Sequence, residues 1–434
     1  MLLTVLRSLR KRPAMMAVVH LTTSRMFALA ANLLCGWLTA VCLGPEGRGE
    51  LAALIVGSLV LSNVSTLGLH ASLIYNIKLD CANGCRYFGG ALVLTSLAGL
   101  TVAAAAYALV PIYLRQYTAD TIYVARILLA SVPLGAVAPL LTGVLEVAGL
   151  FAIASRMIYL QSFGTLIFLG LLAAFDVLTP HTALAAYVLP TCLSFCYLCV
   201  HAWRTLACQI TLASPFPGRL LSYGLRFYGV DLLATLSGYL DQFVIVLVLQ
   251  PAAAGTYAVA VSLSRVLYVV QGAVSTVLFP TVAAEDTSNV VDRVTRVTRV
   301  TTGLNLIAAL GCASVAPFAL PLLYGAHFDG AIAPFLILLI ESIVTSTARS
   351  LAQAFSGSGH PGTVTIAEVV GVIGSLVSVL LLVPHLGVLG AACGSLMGGS
   401  LRLACVLTCF PTVLKIRLPR LLIKRADIAW AAGL

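Results

Sequence analysis

Leu43-Gly44-Pro45-Glu46-Gly47-Arg48-Gly49-Glu50 separates two long apolar runs, residues 15–43 and 51–77. Glycines, a proline and three charged residues crowded into eight positions break an apolar span. Each flanking run is long enough to cross a bilayer core, which takes about 20 residues of α-helix. Marking every apolar run between polar or Pro/Gly breaks extends the pattern to twelve. They are residues 15–43, 51–77, 87–112, 122–145, 157–175 and 182–202, then 220–249, 255–284, 300–323, 331–355, 363–383 and 387–410. Composition agrees. Of 434 residues, 60% are hydrophobic and 9% charged, with mean hydropathy +1.04. A water-soluble domain carries about 25% charged residues. The expectation is an all-α integral membrane protein with twelve transmembrane helices, and a water-soluble enzyme is excluded.

The net charge of +10 is distributed as topology rather than as a nucleic-acid footprint. With the N-terminus cytoplasmic, 18 of the 25 Lys and Arg residues fall on the cytoplasmic side, including Arg7, Arg10, Lys78, Arg86, Arg293 and Lys415. Only Arg48 and Arg115 fall on the other side, and five arginines lie inside the spans. This is the positive-inside pattern, and an even number of spans keeps both termini in the cytoplasm. The first run contains Ala28-Leu29-Ala30, a signal-peptidase-like pattern, but it runs on to Leu43, so it reads as a span. Most of the 12 cysteines sit singly in apolar runs, where Cys acts as a small hydrophobe. Cys81 and Cys85 fall in a loop assigned to the reducing cytoplasm. No metal site is expected.

The chain also repeats weakly at an offset of 204–210 residues. Gly49-Glu50-Leu51-Ala52 corresponds to Gly255-Thr256-Tyr257-Ala258, Gly149 to Gly359, and Pro180 to Pro384. Six spans per half give two halves of one orientation, with the cargo site where such repeats meet. The expected organisation is an N-terminal lobe (1–202), a cytoplasmic linker (203–219), a C-terminal lobe (220–411) and a basic cytoplasmic tail (412–434). Within residues 285–299, valines 290, 291, 294 and 297 oppose Arg293, Arg296 and Arg299. That spacing predicts an amphipathic helix on the inner membrane surface.

Several short motifs resemble those of polysaccharide-unit flippases. They are the stretch from Leu43 to Glu50, Asp241, the run Gly255-Thr256-Tyr257-Ala258-Val259-Ala260 through Arg265 to Phe279-Pro280, Gly357-Ser358-Gly359-His360-Pro361, and Gly387-Val388-Leu389-Gly390-Ala391-Ala392. This family belongs to the multidrug/oligosaccharidyl-lipid/polysaccharide exporter superfamily. The resemblance implies two six-helix lobes in a V around a central cavity, working by alternating access. Lipid II flippases of the superfamily are similar in carrying cavity arginines on their first and eighth helices, where Arg25 and Arg265 stand here. They usually have two further helices, so lipid II is the less favoured cargo.

Arginine inside a span costs roughly 2.5–3.5 kcal/mol on insertion scales, and such residues normally face a protein interior or a hydrated cavity. Arg25, Arg265, Arg349 and Arg402 are therefore the candidate cargo-binding residues, because a guanidinium fork binds phosphate oxygens bidentately. Arg126, near a span end, reads as an interface anchor. Asp231, Asp241 and Glu341 are candidates for coupling to H+ or Na+. The alternative for each is a static ion pair, and Glu341 with Arg349, eight residues on, is the expected pair. His20 and His70 read as packed, hydrogen-bonded residues. Trp37, Tyr239 and Tyr257 read as packing residues, with sugar stacking as the alternative. No Walker motif or nucleophile triad is present, so no cofactor is expected.

The leading functional expectation is a flippase in the bacterial inner membrane, not an enzyme. Its cargo would be an undecaprenyl-diphosphate-linked oligosaccharide for polysaccharide biosynthesis. Expected partners are that polyprenyl-diphosphate-linked oligosaccharide and membrane lipids, with the polysaccharide polymerase machinery a further candidate and no nucleic acid. Two alternatives compete. An ion-coupled multidrug or cation antiporter should have a cavity dominated by carboxylates. A membrane glycosyltransferase or polymerase should place its sugar-handling residues on a large external loop.

Overall fold

The computed structural model describes residues 2–80, 83–206, 217–268, 287–416 and 418–419; side chains are described from residue 23, except 25, 205–206, 217, 287–290 and 361. Among the described residues there is no strand. Thirteen α-helices follow in order: α1 (Leu2–Val64), α2 (Leu69–Leu79), α3 (Gly84–Tyr113), α4 (Ala119–Leu128), α5 (Val132–Val147), α6 (Phe151–Ala174) and α7 (Pro180–Leu206), then α8 (Pro217–Val248), α9 (Pro251–Ser264), α10 (Thr287–Tyr324), α11 (Ile332–Gly357), α12 (Pro361–Leu386) and α13 (Val388–Cys409). Ten stretches among the described residues are long and apolar enough to cross a membrane. The first of them, Met26–Leu79, is 54 residues long. That is about 80 Å of helical rise, enough for two crossings. The eighth expected span begins as α9 and continues into residues outside the described set. The chain is thus a multi-pass helical membrane protein, consistent with twelve spans.

Local chemistry sets the breaks. The expected turn after residue 43 is a single-residue kink at Gly44 (φ 68°, ψ −177°), where two helical segments abut. The second span is interrupted where an unbroken helix was expected. Leu67 and Gly68 both take positive φ, and α2 starts afresh. Ser65 and Thr66 donate their hydroxyls back to Leu61 O (2.7 Å) and Asn63 O (2.8 Å), satisfying carbonyls that the break releases. The fourth span divides into α4 and α5 around a 3-10 turn, Leu129–Ser131, just before Pro133, whose missing N–H cannot extend the ladder.

Two compact units result: Met1–Leu43 with Glu50–Thr235, and Gly44–Gly49 with Leu236–Leu434. The boundary falls inside α8. Most of the expected linker at 203–219 and of the tail at 412–434 lies outside the described residues. In the first unit, Leu69 and Leu73 of α2 meet Tyr87 and Phe88 of α3, Leu140 and Leu145 of α5, and Leu198 of α7. In the second, Val291, Val294 and Val297 join Leu351, Phe355 and Phe410 in one core. The amphipathic pattern at 285–299 is therefore corrected. From Thr287 it is the first turns of α10, and Val291, Val294 and Val297 face protein rather than a membrane surface. The pattern cannot distinguish the two, because a core and a bilayer attract the same apolar face.

Two of the three repeat pairs have matching structures. Gly149 and Gly359 both take left-handed φ (76° and 80°) and end their helices with the same bonds, Leu150 N to Leu145 O and His360 N to Phe355 O, each 2.8 Å. This is the Schellman arrangement. Gly49 and Gly255 meet reciprocally within the second unit. A Cβ on Gly49 would strike the carbonyl of Pro251, and one on Gly255 that of Pro45. The third pair differs: Pro180 opens α7, whereas Pro384 lies in the last turn of α12. Cys85 also departs from expectation. It is disulfide-bonded rather than a thiol, because charge distribution reports on loop side and says nothing of oxidation; Cys81 lies outside the described residues.

Candidate functional site

The site in the second unit grows from a seam of small residues. Gly390, Gly394 and Gly398 recur every fourth residue along α13 and lie against α12 with no room for side chains. Small residues at this spacing let membrane helices approach closely. The next position in the row is Arg402. Across from it, Gly371 of α12 leaves the space it needs, since a Cβ there would lie 2.8 Å from Arg402 Nε. The seam thereby draws a guanidinium into the interior, with only 6% of its side chain exposed.

A buried charge must be paired. Arg402 Nε lies 3.2 Å from Glu368 Oε2 on α12, and its Nη2 donates to Ser237 Oγ on α8 at 2.6 Å. Arg349 of α11 reaches the same two groups from the other side, with Nε 3.9 Å from Glu368 Oε1 and Nη2 3.3 Å from Ser237 Oγ. Its guanidinium also stands 6.0 Å from the Tyr268 ring centre. Two guanidiniums therefore share one carboxylate. Arg402 Nε and Glu368 Oε2 are buried and have no hydrogen-bond partner among the described residues, so their contact is purely electrostatic.

Two further carboxylates of this unit, Asp241 and Glu341, take their hydrogen bonds from neutral groups. Asp241 of α8 accepts from the hydroxyls of Tyr257 and Ser395 (3.2 Å to the latter) and from the Gln242 N–H at 2.8 Å. Glu341 of α11 accepts from Thr345 Oγ1 at 2.7 Å and from the Tyr268 hydroxyl at 3.1 Å. The expected Glu341–Arg349 ion pair is replaced by Arg349–Glu368. Eight residues along one helix are about 12 Å of rise, so a carboxylate on the neighbouring helix is nearer. Arg265, just past the end of α9, donates to Gly238 O at 3.0 Å and lies 5.0 Å above the Tyr239 ring. Tyr239 and Tyr257 thus serve charged side chains.

The remaining expectations fall elsewhere. Arg25 and His20 lie on α1, and their side chains are outside the described residues. Arg126 stacks 4.6 Å from the Tyr107 ring centre. Asp231 belongs to the first unit, where its Oδ2 is 3.7 Å from Nδ1 of His70. Glu368 and Ser237 were missed as site residues. Glu368 was legible only as a further carboxylate near a span end, and Ser237 as one serine in an apolar helix.

Long apolar helices around a buried cluster of paired arginines and hydroxyl-held carboxylates define a class, the multi-pass membrane transporters. Comparison makes this specific. A sequence profile described as polysaccharide biosynthesis protein matches residues 38–333, more than two thirds of the chain, and the chain belongs to that family. The match contains Asp241 and Arg265 and ends before Arg349. In fold, the chain is similar to the lipid II flippase MurJ in an inward closed conformation (TM-score 0.79, 11% identity, covering 95% of this chain and 89% of that one). It is also similar to an inward-facing multidrug resistance MATE family transporter of the MOP superfamily (TM-score 0.72, 14% identity, covering 89% and 96%). A MOP superfamily transporter from Pyrococcus furiosus, described by the reversed polarity of its binding pocket, is similar as well (TM-score 0.62, 13% identity, covering 92% and 95%). No curated protein matches the chain. The fold is one shared with MOP superfamily transporters and with a lipid II flippase.

Proposed function

We propose that this protein is a flippase that carries a polyprenyl-diphosphate-linked oligosaccharide across the bacterial inner membrane by alternating access. The observation that carries the reading is the Arg349–Glu368–Arg402 cluster, in a chain of the polysaccharide biosynthesis family. Two guanidiniums meet one carboxylate within 4 Å, and Arg349 keeps about a third of its side chain exposed. An anionic head group can approach there, and a diphosphate offers oxygens to both forks. Arg265 is a second guanidinium of the same unit, already oriented by Gly238 O and Tyr239. Asp241 and Glu341, held by hydroxyls rather than by guanidiniums, are assigned to a coupling H+ or Na+. Asp231, beside His70, is the corresponding group of the first unit.

The test uses purified protein in vesicles containing a fluorescent polyprenyl-diphosphate glycan, whose arrival in the opposite leaflet is read by quenching. Arg402→Gln and Arg349→Gln should each slow movement at least about tenfold, the kinetic equivalent of 1.4 kcal/mol. Arg402→Lys should retain part of the rate, keeping charge but losing the planar fork. Wild-type rates in both Gln variants would overturn the head-group assignment. Proton-driven export of a cationic dye without any glycan movement would favour a drug antiporter instead.

A further inference from the structure

Arg48 is a charge that the arginine cluster does not use. It follows the Gly44 kink and belongs to the second unit, where the adjoining backbone of Gly49 is pressed against the Pro251 carbonyl. Only 8% of Arg48 is exposed. Its Nε is buried without a hydrogen-bond partner, and among the described residues no carboxylate pairs with it. The carboxylates of Glu46 and Asp329 are exposed and do not reach it. A buried charge without a partner is strongly unfavourable, so this guanidinium calls for an anion.

Tyr324, the last residue of α10, stands within electrostatic reach of Arg48. Its ring is held edge-on against Phe328 at 5.9 Å, and its hydroxyl makes no hydrogen bond to a described residue. Tyr324 also lines an apolar groove of about 360 Å³ in the same unit. Small residues of α10, Gly311, Ala316 and Ala319, alternate along it with larger ones, between Leu263 of α9 and Phe335 of α11. Apart from the Cys312 thiol, the Tyr324 hydroxyl is the only polar side-chain group among the described lining residues. From Gly311 to Tyr324 the helix rises about 20 Å, a little more than one leaflet's half of a hydrocarbon core about 30 Å thick. Next to the groove, Phe318 and Leu322 of α10 are 79% and 85% exposed, which puts this side of the helix against lipid.

An unpaired guanidinium and an unengaged hydroxyl beside an apolar furrow select an amphiphile with an anionic head. A free anion would leave the groove empty. A neutral lipid would leave Arg48 uncompensated, and a lipophilic cation would be repelled by it. Tyr324 ends a span, at the depth where lipid head groups lie. Phosphate oxygens accept from a guanidinium and from a hydroxyl alike. We infer that the second unit binds an anionic phospholipid, with its phosphate on Arg48 and Tyr324 and one hydrocarbon chain in the groove along α10. The occupant is a lipid of the surrounding membrane, because the groove opens on the bilayer, where phospholipid is the bulk component. This site is independent of the flippase reading.

The test titrates the full-length protein in detergent with phosphatidylglycerol or phosphatidylcholine and reads bound lipid by native mass spectrometry. Phosphatidylglycerol should bind about tenfold more tightly than phosphatidylcholine, and Arg48→Gln should abolish that preference. Arg115→Gln, which removes an exposed arginine from another segment, should leave it intact. A Cβ on Gly311 meets nothing within 4 Å, so Gly311→Leu should fold and fill the groove, weakening both lipids by a similar factor. Equal affinity for the two lipids, an unaltered preference in Arg48→Gln, or unchanged binding in Gly311→Leu would each overturn the inference. Inorganic phosphate that displaces phosphatidylglycerol at equal concentration would reduce the site to one for a free anion. Polyprenyl diphosphate that does so would assign the site to a cargo lipid; either result overturns the proposal. Should Arg48→Gln fail to fold, the wild-type lipid preference and the Gly311→Leu result decide.

Discussion

Arg402 shows how one residue can be unusual in sequence and ordinary in its pocket. In the sequence it is a charge in an apolar run; in the structure Glu368 and Ser237 compensate it and Gly371 gives it space. Breaking a buried pair by neutralising one partner costs about 3–5 kcal/mol, because the remaining charge is left uncompensated. Glu368→Gln should therefore lower the thermal unfolding midpoint in detergent clearly, and Glu368→Gln with Arg402→Met should recover most of the loss. A single variant that melts like wild type would show that the carboxylate does not hold the arginine. Gly371→Ala puts a methyl group against Arg402 Nε. Glycan movement should fall although every charged residue remains, and normal movement would mean that the guanidinium can act from another position.

At the scale of elements, two contacts distinguish the helices from a generic bundle. Gly49 and Gly255 face each other's backbone, and a backbone carbonyl cannot swing aside as a side chain can. Gly49→Ala or Gly255→Ala should each destabilise by about 1–3 kcal/mol, the usual penalty for overpacking. Unchanged thermal midpoints in both would mean that these segments separate readily. The second contact is the start of α10, where Val294 is fully buried. Val294→Asn buries an amide without partners and should cost about 1–3 kcal/mol. A helix lying on a membrane surface would tolerate the change, so an unaltered melting curve would restore the surface-helix expectation.

For the whole molecule, the question is which way the chain is inserted. The basic residues predict that Lys78 is cytoplasmic and Arg115 is not, while the disulfide at Cys85 is of the kind that persists in oxidising compartments. Compartment reporters fused after Lys78 and after Arg115 should read cytoplasmic and external, respectively. The reverse reporter pattern would invert the expected topology, and the same reading at both points would remove the third span.

The sequence by itself determined that this is a helical membrane protein of repeated spans, because crossing a bilayer demands long apolar runs whose ends show as glycine, proline and charge. It also marked the arginines, since charge in such a run is costly enough to need a reason. Tertiary structure alone decided who accompanies them. Arg349 chose Glu368 over Glu341, His70 met Asp231 across 161 positions of chain, and one serine came to serve two guanidiniums. An apolar run shows which face of a helix is polar but not which neighbour it meets, because lipid and protein interior solvate apolar side chains almost equally. Partner choice is fixed by helix contacts, and those depend on glycine seams and kinks whose geometry is set by residues far apart in the chain.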